Sequence, residues 1–134
     1  MNEIIIDASN SVLGRVASLA AKQALLGKDV IIINCNNALI SGRKNFIVKQ
    51  YKQKRSRGWY ALKGPNFPKS PERILKRTIR GMLHYTHGTG RLAFKRIKCF
   101  NDIPHEYAHK KPDIKTEKTL NTKSLTLKQL SEIV

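Results

Sequence analysis

Acidic residues are almost missing from the middle of this 134-residue chain: from Arg43 to Lys98 there is one, Glu72, against 17 Lys and Arg. The remainder carries nine bases and eight acids, so nearly all of the formal net charge of +17 lies in one continuous segment. Cysteine is scarce too. Cys35 and Cys99 stand far apart, each within or beside an apolar run, which predicts buried reduced thiols in place of a disulfide or a metal site. No run approaches the roughly 18 apolar residues of a membrane span. The opening MNEIIIDASN lacks the positive and hydrophobic regions of a secretion signal. The expectation is a soluble intracellular protein with no membrane partner. There is no internal repeat and no low-complexity tract.

A chain of this length forms one domain and buries a core without a disulfide or metal staple. A charge-balanced body with one intensely basic half fits a protein that docks one surface on a polyanion. The organisation read from the sequence is a main domain over residues 1–112, holding the basic segment 43–98, and a C-terminal arm over 113–134.

The body reads as α/β. Ile4, Ile5 and Ile6 form a β-branched run too short for a helix and suited to a strand covered on both faces. Val12, Leu13, Val16, Ala17, Ala20, Ala24 and Leu25 then mark an amphipathic helix that Gly27 can end as a left-handed cap. Val30 to Ile33 is the next apolar run. Strand, helix and buried strand make a βαβ unit, hence a parallel sheet. Ala38 to Ser41 suits a further short strand. At the other end, Thr126 and Gln129 have the spacing of a capping box, and Leu127, Leu130 and Ile133 give a short apolar face. Between them, the polar stretch 113–124 predicts an arm on the surface or on a partner.

Within the basic segment, Arg43 to Arg55 reads as a helix with Phe46, Ile47, Gln50 and Tyr51 along one side and cations around it. Arg57 to Lys69 has two prolines, two glycines and Trp59, Tyr60 and Phe67, which suit an extended loop. Its rings either pack on riboses and bases or fill the protein's own core. Ser70 as N-cap, Pro71 at the first helical position and Glu72 at the positive dipole end open another helix. Ile74, Leu75, Thr78, Ile79 and Met82 follow at helical spacing and should meet the core. Arg73, Lys76, Arg77 and Arg80 fill the remaining circumference, with no carboxylate at helical spacing to pair them. After a Gly- and His-rich loop, Thr89 is the expected cap of a short helix from Gly90 to about Arg96, and Ile97 to Phe100 reads as a strand.

Catalytic patterns fail on context. Gly88-Thr89-Gly90-Arg91-Leu92-Ala93 satisfies GxGxxA, but no good strand precedes it and no acid stands at the required distance in a βαβ unit. A nucleic-acid phosphate fits that loop better than a dinucleotide. Ser41 and Lys44 match SxxK without its companion elements. His105 and His109 are bracketed by Pro104 and Pro112 with no nearby thiol pair, which argues against zinc. No cofactor, metal or small-molecule substrate is expected.

Three ordered blocks carry a more specific signal. IIIDASNSVLGRVASLAA, VIIINCNNALISG, and PERILKRTIRGML followed by GRLAFKRIKCF resemble the large-subunit ribosomal protein thirteen family across about Glu3 to Pro112. The short Gly27 to Asp29 link and RGWYALKGPNFPKSP are more similar to its archaeal and eukaryotic branch. The resemblance implies a three-layer α/β/α fold with a small, mainly parallel four-stranded sheet. It also implies a non-enzymatic constituent of the large ribosomal subunit in the cytoplasm, bound to large-subunit rRNA beside neighbouring ribosomal proteins. It carries RNA contact over to Arg43, Lys44, Arg73, Arg77, Arg80, Arg91, Lys95 and Arg96, and backbone geometry to Gly81 and Gly90. The basic segment's own pattern adds Lys52, Lys54, Arg55, Arg57, Trp59, Lys63, Lys69, Lys76, His84, His87 and Lys98 as candidates. The competing classes are a general nucleic-acid-coating protein, which shows little preference among nucleic acids, and a nucleotide-dependent enzyme, which binds a free dinucleotide saturably.

Overall fold

The computed structural model describes residues 2–57, 64–115 and 121–134. Strand β1 (Glu3–Asp7) leads into helix α1 (Leu13–Leu25), and β2 (Asp29–Ile33) returns beside β1 in parallel, with Ile5 opposite Ile31. The turn between α1 and β2 follows from one glycine. Gly27 takes φ +92°, its N–H donates to the Ala24 carbonyl, and the Lys28 N–H reaches back to that of Gln23. This is the Schellman arrangement that satisfies the last carbonyls of a helix. A chain with a Cβ at that position would be strained.

The chain continues through a 3₁₀ turn (Cys35–Asn37), β3 (Leu39–Ser41), α2 (Lys44–Ser56), α3 (Pro71–Met82), α4 (Gly88–Lys95) and β4 (Ile97–Cys99). A second 3₁₀ turn (His105–Tyr107), β5 (Ile114–Lys115), β6 (Ser124–Thr126) and α5 (Leu127–Ile133) complete it. The main sheet has the order β4-β2-β1-β5, with every neighbouring pair parallel. Its fourth strand comes from the stretch expected to be an arm: Ile114 pairs with Ile6 and Lys115 with Asp7. Nor does β3 belong to this sheet. It pairs antiparallel with β6, Ile40 opposite Leu125.

Alternate residues of β1 and β2 face two cores. Ile6, Val30 and Ile32 join the larger one with Val16, Ala17, Ala20 and Ala24 of α1, Ile74, Leu75 and Ile79 of α3, Ala93 of α4, and Leu127 and Leu130 of α5. Ile5, Ile31 and Ile33 point the other way, onto Tyr107 and Phe100. The sheet is thus covered on both faces, heavily by helices on one side and thinly by the segment after β4 on the other. The continuous isoleucine runs follow from this double burial. Leu75 and Ile79 are completely buried, each removing enough apolar surface to contribute about 1.5–3 kcal/mol.

Several local expectations are corrected by tertiary contacts. The Ser70 hydroxyl makes no cap to α3; the Glu72 N–H instead donates to the Asn101 side-chain oxygen at 3.1 Å. Helix α4 begins at Gly88, so Thr89 lies in its first turn and His87 occupies the cap position without a side-chain bond. Met82 is 45% exposed, and Leu83, where the chain turns extended at the end of α3, is buried in the core beyond Ile79. On α2 the buried side is Ile47, flanked by Val48 and Tyr51, while Phe46 is 59% exposed. By contrast, α5 carries the capping box as read: Gln129 N–H donates to the Thr126 hydroxyl and Thr126 N–H to the Gln129 side chain, both at 3.2 Å. Both cysteines are free. Although far apart in sequence they are neighbours, because β4 lies beside β2 and the Cys35 N–H donates to Phe100. A hydrogen bond with Cys99 and burial push the Cys35 thiol far above the usual range.

Candidate nucleic-acid interface

Helix α3 organises the basic surface. Burying Ile74, Leu75 and Ile79 against α1 turns Arg73, Lys76, Arg77 and Arg80 outward. On one flank stands the 64–70 loop with Phe67. On the other, α4 brings up Phe94, and a cleft of about 390 Å³ runs between them, walled by all four cations. The seat of α4 on the 83–87 turn depends on Gly90. A Cβ there would fall on the backbone of His84, so only glycine lets α4 pack this closely on the preceding turn.

The cations are held against aromatic rings. Arg77 lies 4.0 Å from the Phe67 ring centre and donates to the Asn66 carbonyl at 3.2 Å. Arg80 stands 4.3 Å and Arg91 5.6 Å from Tyr85, and Lys76 stands 4.9 Å from Phe94. Tyr85 and Phe94 meet edge to face at 5.4 Å, which joins these contacts into one ladder. Lys54 of α2 reaches Tyr51 at 5.1 Å and Phe67 at 5.8 Å. Stacking of this kind orients a cation without neutralising it. Tyr85 and Phe94 carry no mark in the sequence beyond proximity to basic residues, and Tyr51 is legible there only as part of one side of the α2 helix. Of the three rings singled out there, Phe67 joins the ladder, whereas Trp59 and Tyr60 lie outside the described residues, as does Lys63.

The other candidates divide by position. Arg43 and Lys44 open α2, Lys52 and Arg57 are exposed along and after it, Lys69 precedes α3, Lys95 ends α4, and Lys98 is exposed on the edge strand β4. Arg55 donates to the Val134 carbonyl at 2.8 Å. Arg96 is half-buried and donates to the Ala24 carbonyl at the end of α1 at 3.0 Å, so part of its guanidinium serves the fold. His84 and His87 are exposed and meet edge to face at 5.8 Å.

Anions are what this surface lacks. Among the described residues the one side-chain ion pair is Lys110 with Glu3 at 3.3 Å, on the thinly covered side of the sheet. Glu72, the lone acid of the basic segment, pairs with no cation among them and keeps a buried carboxylate oxygen without a hydrogen-bond partner. A set of cations positioned by rings and uncompensated by acids is built to meet phosphate. The glycines of the GxGxxA pattern, in turn, are helix residues, and Gly90 is spent on packing.

A small α/β domain with a one-sided, ring-stacked cationic face defines a polyanion-binding protein. Comparison with known proteins makes this specific. The family model described as ribosomal protein L13 matches residues 1–106. The large ribosomal subunit protein uL13 of Methanocaldococcus jannaschii is 41% identical over 132 residues, covering 96% of this chain and 94% of that protein. That of Natronomonas pharaonis is 36% identical over 130 residues, 97% and 89% of the two chains. That of Archaeoglobus fulgidus is 44% identical over 102 residues, 76% of this chain but 65% of the relative's length. The chain belongs to the ribosomal protein L13 family.

Proposed function

We propose that this protein is a structural constituent of the large ribosomal subunit, acting without catalysis and residing with that subunit in the cytoplasm. It binds large-subunit rRNA through the α3–α4 face and neighbours other proteins of the subunit. Arg73, Lys76, Arg77, Arg80, Arg91 and Lys95 form the centre of the contact, with Lys54 and Lys69 at its margin. Arg43, Lys44, Lys52, Arg57, Lys98 and the His84–His87 pair extend it, while Arg55 and Arg96 contribute through donors left over from their internal bonds. The observation that carries this reading is the uncompensated charge: four outward cations on α3 and, among the described residues, no carboxylate paired with any of them. A neutral partner would leave that repulsion in place, whereas an RNA backbone removes it and releases counterions.

Arg73→Glu with Arg80→Glu tests it. Both residues are exposed, so the fold should persist. Filter binding to large-subunit rRNA across about 50 to 200 mM salt should show weaker affinity and a log–log salt slope shallower by roughly two. Duplex DNA in excess should compete poorly with the rRNA. Unchanged affinity and slope in a folded variant would remove the α3 face from the interface, and equal competition by DNA would reduce the protein to a general nucleic-acid coat.

A further inference from the structure

Between α2, α3 and the 64–70 loop lies a second concavity, of about 280 Å³, whose wall includes Tyr51, Lys54, Phe67, Ile74, Arg77 and Gly81. We infer that it seats one unstacked nucleobase of the bound RNA, with Arg77 and Lys54 reaching the phosphates on either side. The inference rests on the RNA-binding reading above and specifies where a base, as distinct from the backbone, is held.

Three features point to a flat, electron-rich occupant with an anion attached. The first is planarity. Arg77 is held over Phe67 by the ring and by the Asn66 carbonyl, which makes a fixed guanidinium–ring platform of the kind on which bases stack. The second is charge: the two ionised groups in the lining are both cations, and Lys54 spans Tyr51 and Phe67 with no ion pair among the described residues. An apolar protein side chain would leave both unanswered. The third is Gly81. A Cβ built there meets no atom within 4 Å, so the protein's own packing does not call for glycine. Glycine inside a helix costs about 1 kcal/mol relative to alanine. A bare helix face opening on the pocket is explained when the occupant approaches the backbone at that point.

The test uses the full chain bound to large-subunit rRNA. Phe67→Leu keeps apolar volume and removes the ring; it should lower affinity by about five-fold or more, the lower end of what loss of one base–aromatic stack costs. Gly81→Leu fills the mouth of the pocket from a position with free space, so it should fold normally and weaken binding similarly. In the wild-type complex, chemical probing should show one nucleotide whose base is protected, and both variants should expose it. Ultraviolet crosslinking should join that nucleotide to the peptide containing Tyr51 or Phe67. The pocket assignment fails if both folded variants keep full affinity and the same footprint while Arg73→Glu with Arg80→Glu still weakens binding, an outcome that spares the wider RNA-binding reading. It also fails if Tyr51 or Phe67 crosslinks to another ribosomal protein in assembled subunits, or if free nucleoside monophosphates fill the site without disturbing the RNA footprint.

Discussion

Alanine at the two glycines of the α3–α4 region should shift stability in opposite directions, although both sit in helices. At Gly90 an added Cβ would overlap the carbonyl and backbone of His84. The obstacle is main chain on both sides and cannot swing away as a side-chain tip would. Either α4 lifts from the preceding turn, unseating Ala93 and Phe94 from the core, or the turn at 84–87 rearranges. Overpacking ordinarily costs about 1–3 kcal/mol, and rigid backbone on each side places Gly90→Ala at or above the top of that range. Unfolding releases about 2.1 cal/mol/K per residue, roughly 0.28 kcal/mol/K for 134 residues. A loss of about 3 kcal/mol therefore lowers the melting midpoint by roughly 10 °C. Gly81→Ala meets nothing within 4 Å and gains about 0.5–1 kcal/mol from reduced unfolded-state freedom, raising the midpoint by about 2–4 °C.

Thermal and urea unfolding of the two variants beside wild type decides the matter, with an unchanged urea slope as the check that both remain two-state. A Gly90→Ala protein as stable as wild type would refute the close approach of α4 to His84, and with it the placement of Arg91 over Tyr85. A Gly81→Ala protein as damaged as Gly90→Ala would refute the claim that the first glycine is free of intramolecular contact.

Asn101→Ala removes the acceptor of the Glu72 N–H and should cost about 1 kcal/mol in urea unfolding, whereas Ser70→Ala, whose hydroxyl caps nothing, should cost much less. The reverse order would show that α3 is capped locally. Asp7 predicts an acid-dependent contribution. Burial pushes its carboxyl up, but bonds from Ser9 and Asn34 and the charge of Lys115 outweigh it and leave the folded pKa below the ordinary 3.8. Its stabilisation is therefore complete above the unfolded value and fades as pH falls through the folded one, so wild type should lose stability over that acid window and Asp7→Asn should lose less. Parallel curves for the two proteins would contradict the assignment.

Beyond the βαβ unit with its parallel strands, the parts of the fold legible in the sequence are those fixed within a turn or two of chain. Gly27 ends α1 because its neighbours' amides need a left-handed residue there, and Thr126 and Gln129 cap α5 with their own side chains. Where the deciding partner is remote, local reading picked a plausible neighbour and missed. Asn101 caps α3 from 29 residues beyond Glu72, and Gly90 answers to His84 across a turn. Strand β5 has two residues, too few for any periodicity, and is defined by its pairing with Ile6 and Asp7. The cationic segment was legible from counting alone, since no acid can hide in it. Its aromatic ladder was not, because Lys76 of α3 meets Phe94 of α4, and Arg80 meets Tyr85 of the turn between the two helices, through tertiary packing that leaves no spacing signature.

The C-terminal segment explains how so unbalanced a surface stays folded. Like charges crowded on α2, α3 and α4 oppose compactness, and the protein's own acids answer almost none of it. The compensation is apolar and arrives late in the chain: Ile114 extends the sheet beside β1, Leu125 pairs β6 with the strand preceding α2, and Leu127 and Leu130 of α5 are buried in the same core as Leu75 and Ile79. Arg55 then ties the end of α2 to the last residue of the chain. Helices α2 and α3 are thus fastened from behind by residues 114–115 and 121–134, and of their outward cations Arg55 and Arg77 are the ones with a hydrogen bond inside the fold among the described residues. The other cations are left for the proposed phosphate contacts. Removal of the terminal segment, which holds none of the candidate contact residues, should lower the urea midpoint and weaken rRNA binding only through the loosened α2 and α3, so a truncated protein of unchanged midpoint would refute the fastening.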